Sequence, residues 1–121
     1  MVPEENNIAD HGITQIIQVL KSCSATCDKC ASALKELKGK LFTSLIKINL
    51  SCAETCRRAI HLLESGSSTG KSFLEVCEEI CRMCEEENSR CTIDACTLAE
   101  KACHDCREYL QQINETDTIS F

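Results

Sequence analysis

The chain has no tryptophan, one tyrosine, one proline and four glycines among its 121 residues. With so few aromatic side chains, the core must be built from aliphatic residues and from whatever else is abundant. Scarce proline and glycine argue against a loop-rich fold, and therefore against the small disulfide scaffolds typical of secreted proteins. The length indicates a single domain, which we expect to span residues 1–121 with flexible ends at 1–10 and 114–121.

Positive charge is also scarce, because 13 Lys and Arg residues face 19 Asp and Glu residues for a net charge of −6. Phosphate backbones and anionic lipids attract clustered basic residues, so we expect no nucleic-acid partner and no membrane partner. The first ten residues, MVPEENNIAD, lack the basic and apolar regions of a signal peptide, and no apolar run approaches a membrane span in length. We therefore expect a cytoplasmic protein, in which thiols are kept mostly reduced.

Cysteine is the abundant residue, with twelve copies, or close to one residue in ten. Most of them fall in four short segments: CSATCDKC (23–30), SCAETC (51–56), CEEICRMC (77–84) and CTLAEKACHDC (96–106). So many reduced thiols in one chain indicate metal binding more than disulfide bonding.

Each cysteine segment continues an apolar pattern with steps of three or four residues, the period of one helical face. Breaks at Gly39, at 65–70 and at 88–90 divide the pattern into four segments. The apolar stripe of the second predicted helix includes Ile48, and that of the third includes Phe73. In all four stripes, cysteine stands where an ordinary bundle has leucine. The prediction is an all-α protein, an antiparallel up-down-up-down four-helix bundle with a cysteine-lined core.

The predicted helix ends depend on a few small residues. Gly39 and Gly66 stand where a helix C-terminus favours a left-handed residue. Ser68 or Thr69 is expected to cap the third helix. The fourth helix has two candidate caps, Ser89 and Thr92.

Counting residues along the bundle from each turn places eleven cysteines in one slab of core about 20 Å long. Cys91 falls outside it, near the third turn. The end of the bundle next to Gly39 is expected to be closed by four leucines: Leu34, Leu37, Leu41 and Leu45. His61 and His104 fall at the other end of the slab, where we expect metal to enter.

Thiols at positions i and i+4 of a helix have Cβ atoms about 5–6 Å apart, too far for a disulfide but suitable for clamping a metal ion. An all-thiolate ligand set suits Cu(I), Zn(II) or an iron–sulfur cluster. Structural zinc and iron–sulfur sites gather four ligands compactly, which does not explain ladders along four helices. Cu(I) accepts two thiolates and can be chained through bridging sulfur, so it is the preferred ion.

The sequence resembles the bacterial copper storage proteins, a family of four-helix bundles. The resemblance rests on SCAETCRRAIHLLESGSS followed by FLEVCEEICRMCEEE, and on ACHDCREYL in the fourth helix. It implies a cytosolic homotetramer whose core holds many Cu(I) ions. Positions at which richer members carry further cysteines are occupied here by other residues: Ile16, Leu34, Leu45, Asn88, Ala99 and Leu110.

The predicted metal ligands combine the ladder cysteines with the two histidines: Cys23, Cys27, Cys30, Cys52, Cys56, Cys77, Cys81, Cys84, Cys96, Cys103, Cys106, His61 and His104. The predicted function is binding and storage of multiple Cu(I) ions, without catalysis. Alternatives are a thiol redox protein with inter-helical disulfides, a copper-buffering or copper-sensing bundle, and a zinc-binding thiol bundle. No nucleophile–base pair, phosphate loop or H-E-x-x-H metal site points to an enzyme.

Overall fold

The computed structural model describes residues 3–37 and 40–115, with side chains described for 12–37 and 41–115. It contains four α-helices and a short 3₁₀ turn at Lys40–Phe42: α1 Pro3–Glu36, α2 Thr43–Glu64, α3 Gly70–Ser89 and α4 Asp94–Glu115. The predicted all-α bundle is therefore confirmed. Residues 1–2, 38–39 and 116–121 lie outside the described part, so the role of Gly39 stays a prediction, as do the single domain and its flexible ends at 1–10 and 114–121.

The four helices form a square in which each helix packs against two neighbours, α1 and α3 both contacting α2 and α4. Helices α1 and α4 run in opposite directions, because Cys27 contacts Cys103 whereas Cys30, later in α1, contacts Cys96, earlier in α4. This register is the antiparallel, up-down-up-down arrangement. Among the described residues, no helix is both long enough and apolar enough to cross a membrane.

The connection between α2 and α3 depends on Gly66, whose φ of 71° lies in the left-handed region. Two backbone hydrogen bonds close the turn: Ser67 N–H donates to Leu62 C=O at 3.0 Å and Gly66 N–H donates to Leu63 C=O at 3.2 Å. This pair is the Schellman pattern, in which glycine is favoured because it has no Cβ. The predicted role of Gly66 at a helix C-terminus is confirmed.

The helix starts are less well predicted. Thr69 does precede α3, but its side chain makes no capping hydrogen bond. The expectation that Ser89 or Thr92 caps α4 is wrong, because α3 extends through Ser89 and α4 begins only at Asp94. A carboxylate in the first turn is instead placed to interact with the positive end of the helix dipole.

Two core positions also differ from the predicted stripes. In α2 the stripe passes through Asn49, which is fully buried, and not through Ile48, which packs at the edge of the core. In α3 Leu74 is fully buried, whereas Phe73 is only partly so. In each pair, both positions fit the helical period, and the prediction from sequence took the more apolar or larger of the two neighbouring residues.

Large apolar side chains also fill the end of the bundle near the α2–α3 turn. All four helices contribute buried aliphatic residues there: Ile16, Leu20, Ile60, Leu63, Leu74, Leu110 and Ile113. At the opposite end Leu34 and Leu45 are buried, but Leu37 is 54% exposed and Leu41 is 92% exposed. The prediction that all four of those leucines close the Gly39 end is therefore wrong.

Candidate metal centre

The cysteines divide into two clusters, and not into the single slab predicted from the sequence. Nine belong to one buried core cluster, which we call the chamber: Cys23, Cys27, Cys52, Cys56, Cys77, Cys81, Cys84, Cys103 and Cys106. Three more, Cys30, Cys91 and Cys96, lie together toward the α3–α4 connection, and we call them the end cluster. Each chamber thiol is at most 1% exposed, and so are Cys30 and Cys96, whereas Cys91 is half-buried.

Sulfur atoms within the chamber are close but not bonded. The Sγ atoms of Cys27 and Cys103 are 3.5 Å apart, those of Cys52 and Cys81 are 3.8 Å apart, and Cys52 and Cys103 are 4.0 Å apart. All twelve cysteines are free thiols. Metal–sulfur bonds of about 2.3 Å place sulfurs about 3.8 Å apart around a tetrahedral ion and about 4.0 Å apart around a trigonal one. The spacing already present is therefore close to the spacing that a bound metal requires.

Two groups of four sulfurs in the chamber lie within 4.8 Å of one another and could each hold an ion. The first group consists of Cys23, Cys27, Cys52 and Cys103. The second consists of Cys23, Cys56, Cys81 and Cys106. Because Cys23 belongs to both groups, its sulfur is placed to bridge two ions, as in a chain of thiolate-linked metals.

Burial keeps several thiols protonated in the absence of metal. Desolvation raises the pKa of Cys30 and of Cys96, and contact with Cys91 raises that of Cys96 further. In the chamber, contact with Cys56 and then burial raise the pKa of Cys77. Since metal binds the thiolate, each ion that enters must displace protons from these side chains.

Three chamber thiols, Cys23, Cys56 and Cys84, instead have a lowered pKa. Contacts with Cys103 and Cys106 are the largest influences on Cys23, and they lower its pKa. The same contacts raise the pKa of Cys103 and of Cys106, because these thiols keep the protons that they share with Cys23. The shared sulfur is thus among those at which contacts with neighbouring thiols favour negative charge.

A pair of buried asparagines, Asn49 and Asn88, lies beside both clusters. Each side-chain amide donates to the other, with Nδ2–Oδ1 distances of 3.1 Å in both directions. Asn88 Nδ2 also lies 3.3 Å from Cys84 Sγ, and Cys84 Sγ donates to Asn49 Oδ1 at 3.4 Å. On the other side, Cys30 Sγ donates to Asn88 Oδ1 at 3.6 Å.

The sequence prediction missed Asn49, and it named Asn88 only as a residue at a position where richer family members carry a cysteine. The available signal was the spacing of Leu45, Asn49, Cys52 and Cys56, whose steps of four, three and four place an amide on the core face of α2. An asparagine in such a stripe requires a buried partner, and Asn88 occupies the matching position in α3.

The two histidines lie away from the two four-sulfur groups. The Nδ1 atom of His104 is 2.8 Å from the Glu85 carboxylate and its Nε2 atom is 3.4 Å from Glu108. Arg107 donates to Glu85 at 2.7 Å, which completes a surface network between α3 and α4. Hydrogen bonding to Glu85 raises the pKa of His104. His61 is exposed in the last turn of α2. A ligand role for either histidine therefore stays a prediction.

A sequence model of the Csp family, described as copper storage protein, matches residues 9–115. The chain belongs to the copper storage protein family. The resemblance seen in the sequence is thereby confirmed, and the cysteine-lined bundle is the expected setting for copper.

Known members of the family and similar proteins have the same bundle. The chain is 28% identical over 96 residues to YhjQ, an uncharacterized cysteine-rich protein of Bacillus subtilis (strain 168), with 79% of this chain and 86% of that protein covered. The Cu(I)-bound copper storage protein BsCsp3 superposes with a TM-score of 0.81 at 24% identity, covering 85% of this chain and 98% of that one.

A cytosolic copper storage protein from Streptomyces lividans, whose structure is described as holding five coppers, superposes with a TM-score of 0.80. The identity is 20%, and the superposition covers 91% of this chain and 98% of that one. At this level of identity, the similarity supports the fold of the chain and not its individual ligands.

Proposed function

We propose that the protein stores Cu(I), holding several ions through thiolates in the bundle core, and that it catalyses no reaction. The observation that carries this proposal is the pair of four-sulfur groups that share Cys23. Soft thiolates suit Cu(I), and one positive charge for each ion limits the charge that accumulates in a buried core. Membership of the copper storage protein family supports the same function.

The proposed ligands are the eleven ladder cysteines, with the two histidines as candidates outside the thiol clusters. If every ion took two unshared thiolates, eleven cysteines would hold about five ions, and if every thiolate bridged two ions they would hold about eleven. The sharing of Cys23 favours bridging, so we propose a capacity above about six ions per chain.

Anaerobic titration with Cu(I), read by native mass spectrometry, tests the proposal. We expect several ions per chain with little change in helix content, because the sulfur spacing already suits metal. Circular dichroism of reduced, metal-free protein should therefore show mostly helix. Saturation at one or two ions per chain would contradict storage, and a random-coil spectrum would indicate a fold that requires metal.

Zinc is the second candidate, because four sulfurs within 4.8 Å also match the tetrahedral ligand set of Zn(II). With Cys23 shared, the two four-sulfur groups would hold at most two tetrahedral zinc ions, fewer than the copper capacity proposed above. Adding Cu(I) to zinc-loaded protein distinguishes the two. Copper storage predicts release of zinc with several copper ions bound, whereas a zinc protein would retain its metal.

Location and assembly are part of the same proposal. A cytoplasmic protein is supported by the Streptomyces lividans neighbour, which is described as cytosolic. A homotetramer, implied by the family resemblance, would cover apolar side chains that are exposed in the single chain, including Val76, Met83 and Leu98. Sedimentation as a monomer at micromolar concentration would exclude the tetramer.

The proposed role of His61 and His104 in copper entry has its own test. Replacement of both by alanine should slow Cu(I) uptake from a chelator without changing the capacity. Unchanged uptake kinetics would remove the histidines from the ligand set and from the entry route, while leaving storage by the cysteines intact.

A further inference from the structure

The asparagine pair interrupts the ladder of thiols between Cys84 on one side and Cys30 on the other. Asn49 Nδ2 donates both to Leu45 C=O, at 2.9 Å, and to Asn88 Oδ1. Asn88 Nδ2 donates to Cys84 C=O at 2.9 Å as well as to Asn49 Oδ1. Among the described residues, no buried side-chain nitrogen or oxygen atom lacks a hydrogen-bond partner.

These amides are poor ligands for a soft ion. Each carbonyl oxygen of the pair already accepts from the other amide and from a thiol, so both of its lone-pair positions are used. An amide oxygen is also a hard ligand, whereas Cu(I) prefers sulfur. A copper chain is therefore not expected to pass from Cys84 to Cys30 through the amides.

Beyond the amides, the end cluster brings together three thiols from three parts of the chain. The Sγ atoms of Cys30 in α1 and Cys96 in α4 are 3.9 Å apart. Cys91, in the α3–α4 connection, packs against this cluster and lies within hydrogen-bonding reach of Cys96. The 3.9 Å between the Cys30 and Cys96 sulfurs fits two bonds of about 2.3 Å to a single ion, and a rotation of the Cys91 side chain is needed to complete a trigonal set.

The end cluster is also more open than the chamber. Cys91 is half-buried and lines a surface cavity of about 470 Å³ together with Leu41, Phe42 and Ile93. A second cavity, of about 320 Å³, lies between α1 and α4 and is lined by Cys30. An ion held there can be reached by a chelator in solvent without crossing the apolar layers of the bundle.

We propose that Cys30, Cys91 and Cys96 bind one Cu(I) ion at a separate site, insulated from the chamber by the Asn49–Asn88 pair and able to exchange with solvent before the chamber does. The proposal rests on the storage function and adds Cys91 to the ligands. On binding, each new copper–sulfur bond replaces an S–H bond, and the displaced protons leave for solvent. Copper stays Cu(I) throughout, so no oxidant or reductant is needed.

The test follows removal of copper from anaerobically loaded protein by excess bathocuproine disulfonate, which absorbs visibly when it binds Cu(I). The wild type should lose one ion per chain in a fast phase and the remaining ions slowly. The Cys91→Ala variant should lose the fast phase. Cys77→Ala, which removes a buried chamber thiol, is the matched control and should retain it.

Three outcomes would overturn the separate site: no fast phase in the wild type, an unchanged fast phase in Cys91→Ala, or equal loss of it in Cys77→Ala. Each of them leaves storage in the chamber standing, provided that copper is bound. If the wild type binds no copper at all, storage itself fails, and the two failures are thus distinguished. Circular dichroism of both variants checks that a changed release does not result from unfolding.

Discussion

The chamber and the end cluster are built from the same side chain, but they surround it differently. The chamber collects sulfurs from all four helices, and Cys23 touches two groups of four. The end cluster has three sulfurs, and one of them belongs to a half-buried residue in a connection. Between the two regions, Asn49 and Asn88 occupy core positions at which cysteines could continue the ladder.

The largest expected effect is a loss of stability of the metal-free protein at alkaline pH, and thiols of both regions contribute to it. The thiols of Cys30, Cys77 and Cys96 have a raised pKa in the fold, whereas in the unfolded chain they ionise near pH 8.5. Their stabilising contribution is therefore complete below about pH 8.5 and is lost as the pH rises toward the folded values. Above about pH 8.5, each such thiol should lower the free energy of unfolding by about 1.4 kcal/mol per pH unit until its folded pKa is reached, so these three alone should contribute a slope of up to about 4 kcal/mol per pH unit.

Denaturant unfolding of reduced, metal-free protein between about pH 7.5 and pH 10 measures this slope. Cys77→Ala and Cys96→Ala should each reduce it by about 1.4 kcal/mol per pH unit, one from each region. The copper-loaded protein should show little dependence, because its thiols have already lost their protons. A flat profile for the metal-free protein would mean that the thiols ionise as readily inside the fold as outside.

Copper capacity should separate the two regions next. Cys23→Ala removes a sulfur common to both chamber groups, so we expect it to lower the capacity by two ions or more. Cys30→Ala removes a ligand of the end cluster and should lower the capacity by one ion at most. Both changes remove the same sulfur atom from a fully buried site, which makes them a matched pair. Native mass spectrometry counts the ions, and equal losses would argue against a shared ligand in the chamber.

The smallest effect concerns the boundary between the two regions. Asn49→Leu or Asn88→Leu alone leaves the other amide buried with unmet hydrogen bonds, which should cost about 1–3 kcal/mol of unfolding free energy. Replacing both at once removes both amides, and we expect the double variant to be close to the wild type in stability. Chemical denaturation of the metal-free wild type and variants at pH 7 measures the unfolding free energies of this double-mutant cycle. A double variant as unstable as the sum of the single ones would show that the amides act independently.

The sequence was sufficient to predict the four helices and the burial of eleven cysteines, because a period of three or four residues determines which face of a helix is inside. It was insufficient for Asn49, since the reason for burying that amide is Asn88, which is 39 residues away in sequence and adjacent only in the fold. Periodicity could not choose between Phe73 and Leu74 either, because both positions are compatible with the same face.

The division of the thiols into two clusters was not predictable for a related reason. A count along the helix axis gives the height of Cys30 and Cys96, but it does not show which neighbours surround them. Their separation from the chamber depends on how the Asn49–Asn88 pair fills the core beside Cys84. The start of α4 depends on tertiary packing in the same way, so neither Ser89 nor Thr92 caps it.

The most direct measurement is a crystal structure of the Cu(I)-loaded protein with anomalous data collected at the copper edge. We predict several copper peaks bridged by chamber sulfurs around Cys23, and one separate peak among Cys30, Cys91 and Cys96. No peak should lie between the amides of Asn49 and Asn88, whose hydrogen bonds should persist. A continuous row of copper through the position of the amides, or a chamber without copper, would contradict the account.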